Sequence, residues 1–252
     1  MKNRLRRPVA SLVAALIALS PTLGSAEGNH IAFELGIGTK YSPDYEGADT
    51  YKAGPTIQGG LHSLSFGGVS AGGGETTGFR ISPSFGFVSA RDASEHDDLK
   101  GMDDVDWALE LGIQAGYTWE NAEVSAAIRK GINGHDGIVG DLKANAILRP
   151  DALTTLRFGP RVTFGDDNYA DTYFSVPASA SNLSPYSADG GVKSYGLELI
   201  ARRELTDTWA IEGKLGWHRL TNDFADSPVT RAGSEDQMSF GVTLIRQFNW
   251  QF

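Results

Sequence analysis

The chain has 252 residues, with 31 glycines, no cysteine, 10% aromatic residues and a formal net charge of −9 at pH 7. The lack of cysteine excludes disulfides, thiolate metal sites and cysteine nucleophiles, and the acidic balance gives no electrostatic footprint for nucleic acid. No long apolar run follows the first twenty residues, which excludes a helical membrane protein but not a β-barrel, in which only alternate residues need to be apolar.

The N-terminal segment has the pattern of a secretory signal. Four basic residues precede an apolar run at Val9–Leu19, and small residues ending at Ala26 follow it. The run is too short for a transmembrane helix, which needs about 20 apolar residues. We therefore predict a cleaved signal peptide at 1–26, with cleavage between Ala26 and Glu27, and one mature domain at 27–252. Because the removed segment holds four basic and no acidic residues, the formal charge falls from −9 to −13.

Segments of alternating polarity fill the rest of the chain and predict β-strands. In His30–Lys40, large apolar side chains alternate with glycine, alanine and glutamate. Trp107–Trp119 has aromatic residues at both ends and aliphatic residues between them, which is typical of a strand that crosses two membrane interfaces. The complete set of predicted strands is 30–40, 53–60, 63–71, 79–90, 107–119, 122–132, 137–148, 153–164, 192–205, 209–220 and 237–252.

Two irregularities are expected in the first half of the chain. A turn at Leu61–Ser63 separates the glycine-rich strands 53–60 and 63–71. Pro83 is in phase with the apolar residues of its strand but has no N–H for the ladder, so we expect a bulge there.

The last strand, Gln237–Phe252, has one apolar and one polar face. It ends in three alternating aromatic residues, which are Phe248, Trp250 and Phe252. We predict that they lie in the interfacial aromatic girdle and are read by the barrel-assembly machinery. Arg246 has the parity of the apolar face, where a charge at the bilayer midplane would cost about 2–4 kcal/mol. Either Arg246 lies near the interface and extends to water, or a bulge near Ile245 changes the phase.

Together these features predict an all-β fold, a transmembrane antiparallel up-and-down β-barrel in the outer membrane of a Gram-negative bacterium, surrounded by lipopolysaccharide and other outer-membrane lipid. The short connections at 120–121, 149–152 and 206–208 are expected to be periplasmic, and the long ones at 91–106, 166–191 and 221–236 extracellular. Both termini are then periplasmic, which requires an even number of strands. Eleven segments are visible, so ten or twelve strands are expected, and we favour twelve.

The polar parity of the strands carries a set of charged residues expected to face the lumen. They are Glu110, Arg157, Arg161, Glu198, Arg202, Glu212 and Lys214. We expect these three acids and four bases to pair across a narrow interior, because barrels much smaller than 16-stranded porins have little free lumen.

Few residues suggest chemistry. The loop at 91–106 holds seven acidic and two basic residues. Such a loop could bind a divalent cation, but the order of its acidic residues does not match an EF-hand. We therefore interpret it as a solvated acidic loop. Three histidines, His96, His135 and His218, lie near the long loops. His218 could form an acid/base set with Asp223 and Asp226, but a histidine near acidic loop residues is usually solvated. We therefore predict a non-enzymatic protein without metal or cofactor.

Four stretches, in order along the chain, resemble the MipA/OmpV family of outer-membrane proteins. They are Tyr41–Pro55, Gly131–Gly137, Gly165–Val176 and Leu220–Val229. The resemblance implies a barrel with a scaffold role, in which members hold a murein lytic transglycosylase near a bifunctional murein synthase during cell-wall synthesis. Related members are described as adhesins or porin-like proteins. Two alternatives therefore remain: a narrow channel or solute-binding barrel, and a surface adhesin acting through its long loops.

Overall fold

The computed structural model describes residues 29–66, 69–72 and 77–251. The predicted signal peptide with its cleavage site at Ala26 and Glu27, and Phe252, lie outside the described residues. The strands are β1 His30–Pro43, β2 Tyr51–Phe66, β3 Val69–Gly72, β4 Gly78–Val88, β5 Ala108–Thr118, β6 Ala122–Asn133, β7 Ile138–Asp151, β8 Thr154–Gly165, β9 Gly191–Glu204, β10 Trp209–Leu220 and β11 Asp236–Gln251. The helices are α1 Asp167–Phe174, α2 Asn222–Asp226 and α3 Pro228–Ala232. None of the described helices is long and apolar enough to cross a membrane.

The strands form one antiparallel sheet in the order β3-β2-β1-β11-β10-β9-β8-β7-β6-β5-β4. The first and last strands pair with each other, from His30 opposite Gln251 to Tyr41 opposite Phe240. The sheet curls until its two edges meet: a β-carbon placed on Gly59 of β2 would lie 3.8 Å from Cδ2 of Phe85 in β4. The predicted antiparallel barrel is therefore confirmed.

The wall of the barrel is apolar outside and polar inside. Ile37 and Ile57 are 71% and 73% exposed, and large apolar residues of every long strand share this outward parity. The inward parity carries buried polar residues such as Glu34 and Thr243. This is the reverse of a soluble domain and suits a wall surrounded by lipid, because the outward side chains are solvated by acyl chains.

The connections fall at two ends. We call the end with the segments 44–50, 89–107, 134–137, 166–190 and 221–235 the loop end. The opposite end carries both strand termini, His30 and Gln251, and the tight connections 119–121, 152–153 and 205–208; we call it the turn end. The predicted separation of long loops from short turns is thus present in the structure.

Several local expectations can be compared with the structure. Ten long strands form the wall, which agrees with the lower of the two expected counts, and the four-residue β3, paired with the end of β2, is an additional short strand among the described residues. Leu61–Ser63 is not a turn: β2 runs through it, and the register against β1 shifts by one residue there, so the irregularity is a bulge. The prediction of a bulge at Pro83 was wrong, because the register of β4 with β5 is continuous. β4 is the last strand in the sheet order, and on such a strand the proline nitrogen, which has no N–H, can face away from the ladder.

Arg246 keeps the outward parity without a bulge. The register of β11 with both neighbours is continuous through Ile245, which points inward and is fully buried. The guanidinium of Arg246 lies 5.2 Å from the ring centroid of Trp209 and 5.3 Å from that of Phe248. Trp209 begins β10 at the turn end, so Arg246 lies near that rim among aromatic residues, which offer a cation–π contact.

Candidate functional site

The loops of the loop end pack into a lid, which we define as residues 44–50, 91–106, 166–190 and 221–235. Its interior contains several large apolar side chains that are fully buried, among them Phe174, Phe224, Leu99 and Val229. Full burial of side chains of this size stabilises a fold by about 1.5–3 kcal/mol each. The lid is therefore a packed structure, although its sequence is rich in polar residues.

The acidic loop at 91–106 is part of this lid. Leu99 and Val105 are buried in the lid core. Arg91 is 4% exposed; its backbone pairs with Val105, and its guanidinium donates to the carbonyl oxygen of Tyr173 at 2.8 Å. The seven acidic side chains of the loop are all exposed, as the interpretation of a solvated acidic loop expects, while the apolar residues spaced between them anchor the loop in the lid. No group of three or more acidic or histidine side chains suited to a metal occurs within the described ranges.

A small hydrogen-bonded cluster joins the lid to the barrel wall. The ammonium group of Lys193, at the start of β9, donates to both carboxylate oxygens of Glu46 at 2.7 and 3.0 Å. The Tyr169 hydroxyl donates to Glu46 at 2.9 Å. Burial by itself would raise the pKa of Glu46, but the charge of Lys193 and these hydrogen bonds outweigh it and lower the pKa below its usual range. Burial and the Glu46 charge raise the pKa of the Tyr169 phenol, which keeps its proton.

His135 lies beneath the lid and contacts both the lid and the barrel wall. The imidazole is completely buried, with Nε2 3.5 Å from Oε1 of Glu110. Its ring packs edge-on against Tyr169 and Tyr173, with centroids 5.0 and 5.6 Å apart. Gly131 makes room for it, because a β-carbon there would lie 2.2 Å from His135 Cε1. His135 therefore couples lid packing to the charged lumen.

A series of ion pairs, which we call the upper network, begins at Glu110 and extends around the inner face of the barrel wall. Arg129 bridges Glu110 at 2.9 Å and Asp141 at 2.7 Å. Its members are Glu110, Arg129, Asp141, Lys143, Arg161, Glu198 and Lys214. Four bases thus share three acids across six neighbouring strands. The carboxylates are 8% exposed or less, so each depends on its cations for stabilisation.

The seven predicted lumen residues do not form one group. Glu110, Arg161, Glu198 and Lys214 belong to the upper network. The other three lie closer to the turn end: Arg157 is 3.5 Å from Glu123, Arg202 bridges Glu34 at 2.9 Å and Glu204 at 2.8 Å, and Glu212 accepts from Gln58 at 3.1 Å.

Sequence reasoning missed the residues that connect the upper network. Arg129, Asp141 and Lys143 alternate with outward residues such as Ile128 and Leu142, so their inward parity was visible in the sequence. Their mutual contacts were not visible, because these depend on the register between β6, β7 and β8.

The proposed acid/base set is not assembled around His218. Asp223 accepts a hydrogen bond from the backbone of Asp189 at 3.0 Å, and Asp226 pairs with Arg231 at 2.8 Å. His218 instead lies on the inner face of β10, opposite Gly196 and Gln237. The residues at 68–72 match the serine-hydrolase pattern G-x-S-x-G in letters, but 69–72 is a strand, whereas that pattern acts at a strand-to-helix turn.

The aromatic end of β11 lies at the turn end. Phe248 stacks on Phe33 with centroids 5.0 Å apart, and Trp250 packs edge-on against the same ring at 5.5 Å. Trp250 is 60% exposed. These positions fit an interfacial girdle, and the role of Phe248, Trp250 and Phe252 as an assembly signal stays a prediction.

The outward apolar wall, the charged lumen and the separation of loops from turns define an integral outer-membrane β-barrel of a Gram-negative bacterium. The family model described as MltA-interacting protein MipA matches residues 35–248. The chain therefore belongs to the MipA family. With this assignment, we expect the loop end to be extracellular and the turn end periplasmic.

Solved structures match the chain at low identity. OmpF of Salmonella typhi, in complex with daunomycin, is 12% identical, with 85% of this chain and 57% of that chain covered and a TM-score of 0.34; this chain thus spans little more than half of OmpF. Neisserial surface protein A is 10% identical over 90% of this chain and 100% of its own, with a TM-score of 0.28. OmpT of Vibrio cholerae is 12% identical over 91% and 100%, with a TM-score of 0.30. No curated protein matches the chain in sequence.

Proposed function

We propose that the protein is a non-enzymatic scaffold that binds a murein lytic transglycosylase at its periplasmic end and holds it near a bifunctional murein synthase during cell-wall synthesis. The observation that carries this proposal is membership of a family described as MltA-interacting, over residues 35–248. A scaffold needs a stable anchor in the membrane and a firm surface facing its partner, and it needs no catalytic group.

The periplasmic turns offer such a surface, because each is held by hydrogen bonds of its own. The backbone of Trp119 bonds across its turn to Ala122 at 2.7 Å. The Asp151 carboxylate accepts from the Leu153 backbone at 2.8 Å. The Thr206 hydroxyl accepts from the backbone of Trp209 at 3.1 Å. Rigid turns lose little conformational entropy when a partner binds, which favours association.

The lid and the ion-paired lumen favour an anchor over a channel. Four extracellular segments pack together across the mouth, and the upper network occupies the lumen beneath them. We expect purified protein to give no reproducible conductance in planar bilayers. Replacing residues 166–190 with a short Gly-Ser linker, which removes α1 and its buried aromatics, should produce conductance. Conductance of the intact protein would favour the channel alternative.

The size of the turns determines how the partner must bind. A specific interface needs about 800 Å² from each partner, which is more than one short turn can provide. The transglycosylase should therefore contact several turns together. We expect a single substitution in one turn to weaken binding and substitutions in two turns to abolish it.

Binding of the purified barrel, in detergent or nanodiscs, to the murein lytic transglycosylase of the same bacterium tests the proposal. The exposed acids Glu120 and Asp207 lie in two different turns, and changing both to arginine should weaken binding at least tenfold. The matched control is Asp103→Arg, an exposed acid of the extracellular lid, which should leave affinity unchanged. No binding by the wild-type barrel, or equal losses in both variants, would overturn the proposal.

A further inference from the structure

The lumen contains a lysine that forms no ion pair with any side chain in the described part of the chain. Lys40 lies on the inward parity of β1, below Glu46 of the lid, and is exposed to the lumen. It has no ion pair or hydrogen bond to any side chain within the described ranges, whereas Lys143, Lys193 and Lys214 each contact a carboxylate. An unpaired lysine inside a barrel is unfavourable unless water or a ligand solvates it.

The strand register places Lys40 in a row with a second lysine. Across β2, β1, β11 and β10 the facing residues are Gly54, Lys40, Gly241 and Lys214. Lys40 and Lys214 are two strands apart, so their backbones are about 10 Å from each other. Side chains of this length can bring both ammonium groups to one oxyanion above Gly241.

Glycines keep this part of the wall open. A β-carbon on Gly54 would meet no atom within 4 Å, and one on Gly241 would meet only ordinary contacts at 3.5 Å or more. Four residues beyond Lys214 on β10, towards the loop end, His218 and Arg161 flank Gly196. The row between them holds Gly216 and Glu198, and Glu198 is bound by both Lys214 and Arg161. The space above the glycines is therefore bordered by Lys40, Lys214, Arg161 and His218, with Glu198 among them.

The local charge is positive, although the chain is acidic. The upper network already has four bases for three acids, with Lys214 and Arg161 both bound to Glu198 at 2.7 and 3.3 Å. Lys40 adds a further positive charge, and the charged groups that act on it are Lys214, Glu46, Arg161 and Lys193, of which only Glu46 is an acid. This local positive excess contrasts with the acidic balance of the whole chain, whose formal net charge is −9. Converging cations in an enclosed space attract anions strongly.

We propose that this chamber, bordered by Lys40, Lys214, Arg161 and His218, binds a small soluble oxyanion carrying phosphate or carboxylate groups. Lys40 supplies the free charge, Lys214 and Arg161 supply further donors, and the glycines leave the space. The ligand completes the charge balance of the lumen. This inference does not depend on the scaffold role.

Isothermal titration calorimetry of the full barrel in detergent tests it, with inorganic phosphate and citrate as separate probes and sodium chloride keeping the ionic strength constant. We expect saturable binding of at least one probe, and the preferred probe distinguishes phosphoryl from carboxylate recognition. Lys40→Gln should weaken this binding at least tenfold. Lys130→Gln removes an equal charge from the outer face of β6 and should leave affinity within twofold. Absence of saturable binding for both probes, or equal binding by Lys40→Gln, would overturn the proposal.

Two further variants separate ligand binding from a structural role. Gly54→Leu fills the space without changing any charge and should also abolish binding. Lys40→Gln loses no native contact and reduces repulsion with Lys214, so the ligand-free variant should be at least as stable as the wild type in urea. Destabilisation by Lys40→Gln would show that the lysine supports the fold, which would contradict its role as a ligand-binding group.

Discussion

Arg129 should be one of the most important charged residues for stability. Its guanidinium is 11% exposed and bonds to Glu110 at 2.9 Å and Asp141 at 2.7 Å, while those carboxylates are 8% and 2% exposed. Changing Arg129 to methionine preserves most of the side-chain volume but removes the charge. Asp141 would keep Lys143 and Arg161 at 3.5–3.7 Å, whereas Glu110 would keep only His135. Removing one partner of a buried ion pair typically costs about 3–5 kcal/mol.

Reversible urea unfolding of the refolded barrel in detergent measures this cost. Arg219 is the matched control, because it also bridges two carboxylates, Glu235 at 2.6 Å and Asp236 at 2.9 Å, but all three side chains are more than 40% exposed. Arg219→Met should cost at most about 1 kcal/mol. Adding Glu110→Gln to Arg129→Met should recover part of the loss, since it neutralises the carboxylate left with least support. Equal costs for Arg129→Met and Arg219→Met would refute the reasoning.

Three further outcomes are expected. Phe174→Ala, at a fully buried lid position, should cost about 3–5 kcal/mol and make the lid sensitive to trypsin, and a change below 1 kcal/mol would show that the lid is loosely packed. The lowered pKa of Glu46 means that its contribution is present above the ordinary carboxyl pKa and is lost as pH falls through the folded-state value; the stability difference between wild type and Glu46→Gln should thus be clear at pH 7 and vanish at strongly acidic pH, while a pH-independent difference would contradict the assigned cause. Deleting Phe252 should reduce heat-modifiable barrel in the outer membrane, whereas Gln251→Ala should not; N-terminal sequencing of that material should begin at Glu27.

The strands were largely predictable because a lipid-facing wall imposes a simple rule on alternate residues. The segment Trp107–Trp119 corresponds to Ala108–Thr118 in the structure, and 209–220 corresponds to Trp209–Leu220. Near Leu61–Ser63 the same rule was insufficient, because an interruption in alternation is compatible with either a turn or a bulge. Only the pairing with β1 distinguishes them.

The lid and the upper network were much less predictable. Leu99, Phe174 and Phe224 are far apart in sequence and follow no shared period, so their common core depends on how the loops meet above the barrel. The partner of each lumen charge is likewise set by the stagger of neighbouring strands. That Lys40 forms no ion pair within the described residues becomes evident only when the inward residues of β1, β10 and β11 are aligned.

Site-specific photo-crosslinking in intact cells tests the scaffold claim most directly. Probes at Asn121, Leu153 and Asp207 report on the three turns of the turn end, and probes at Asp103 and Asp171 report on the lid. All five positions are exposed. We predict that the turn probes capture a murein lytic transglycosylase and that the lid probes do not. Capture at the lid alone, or no capture of murein enzymes at any turn, would contradict the account.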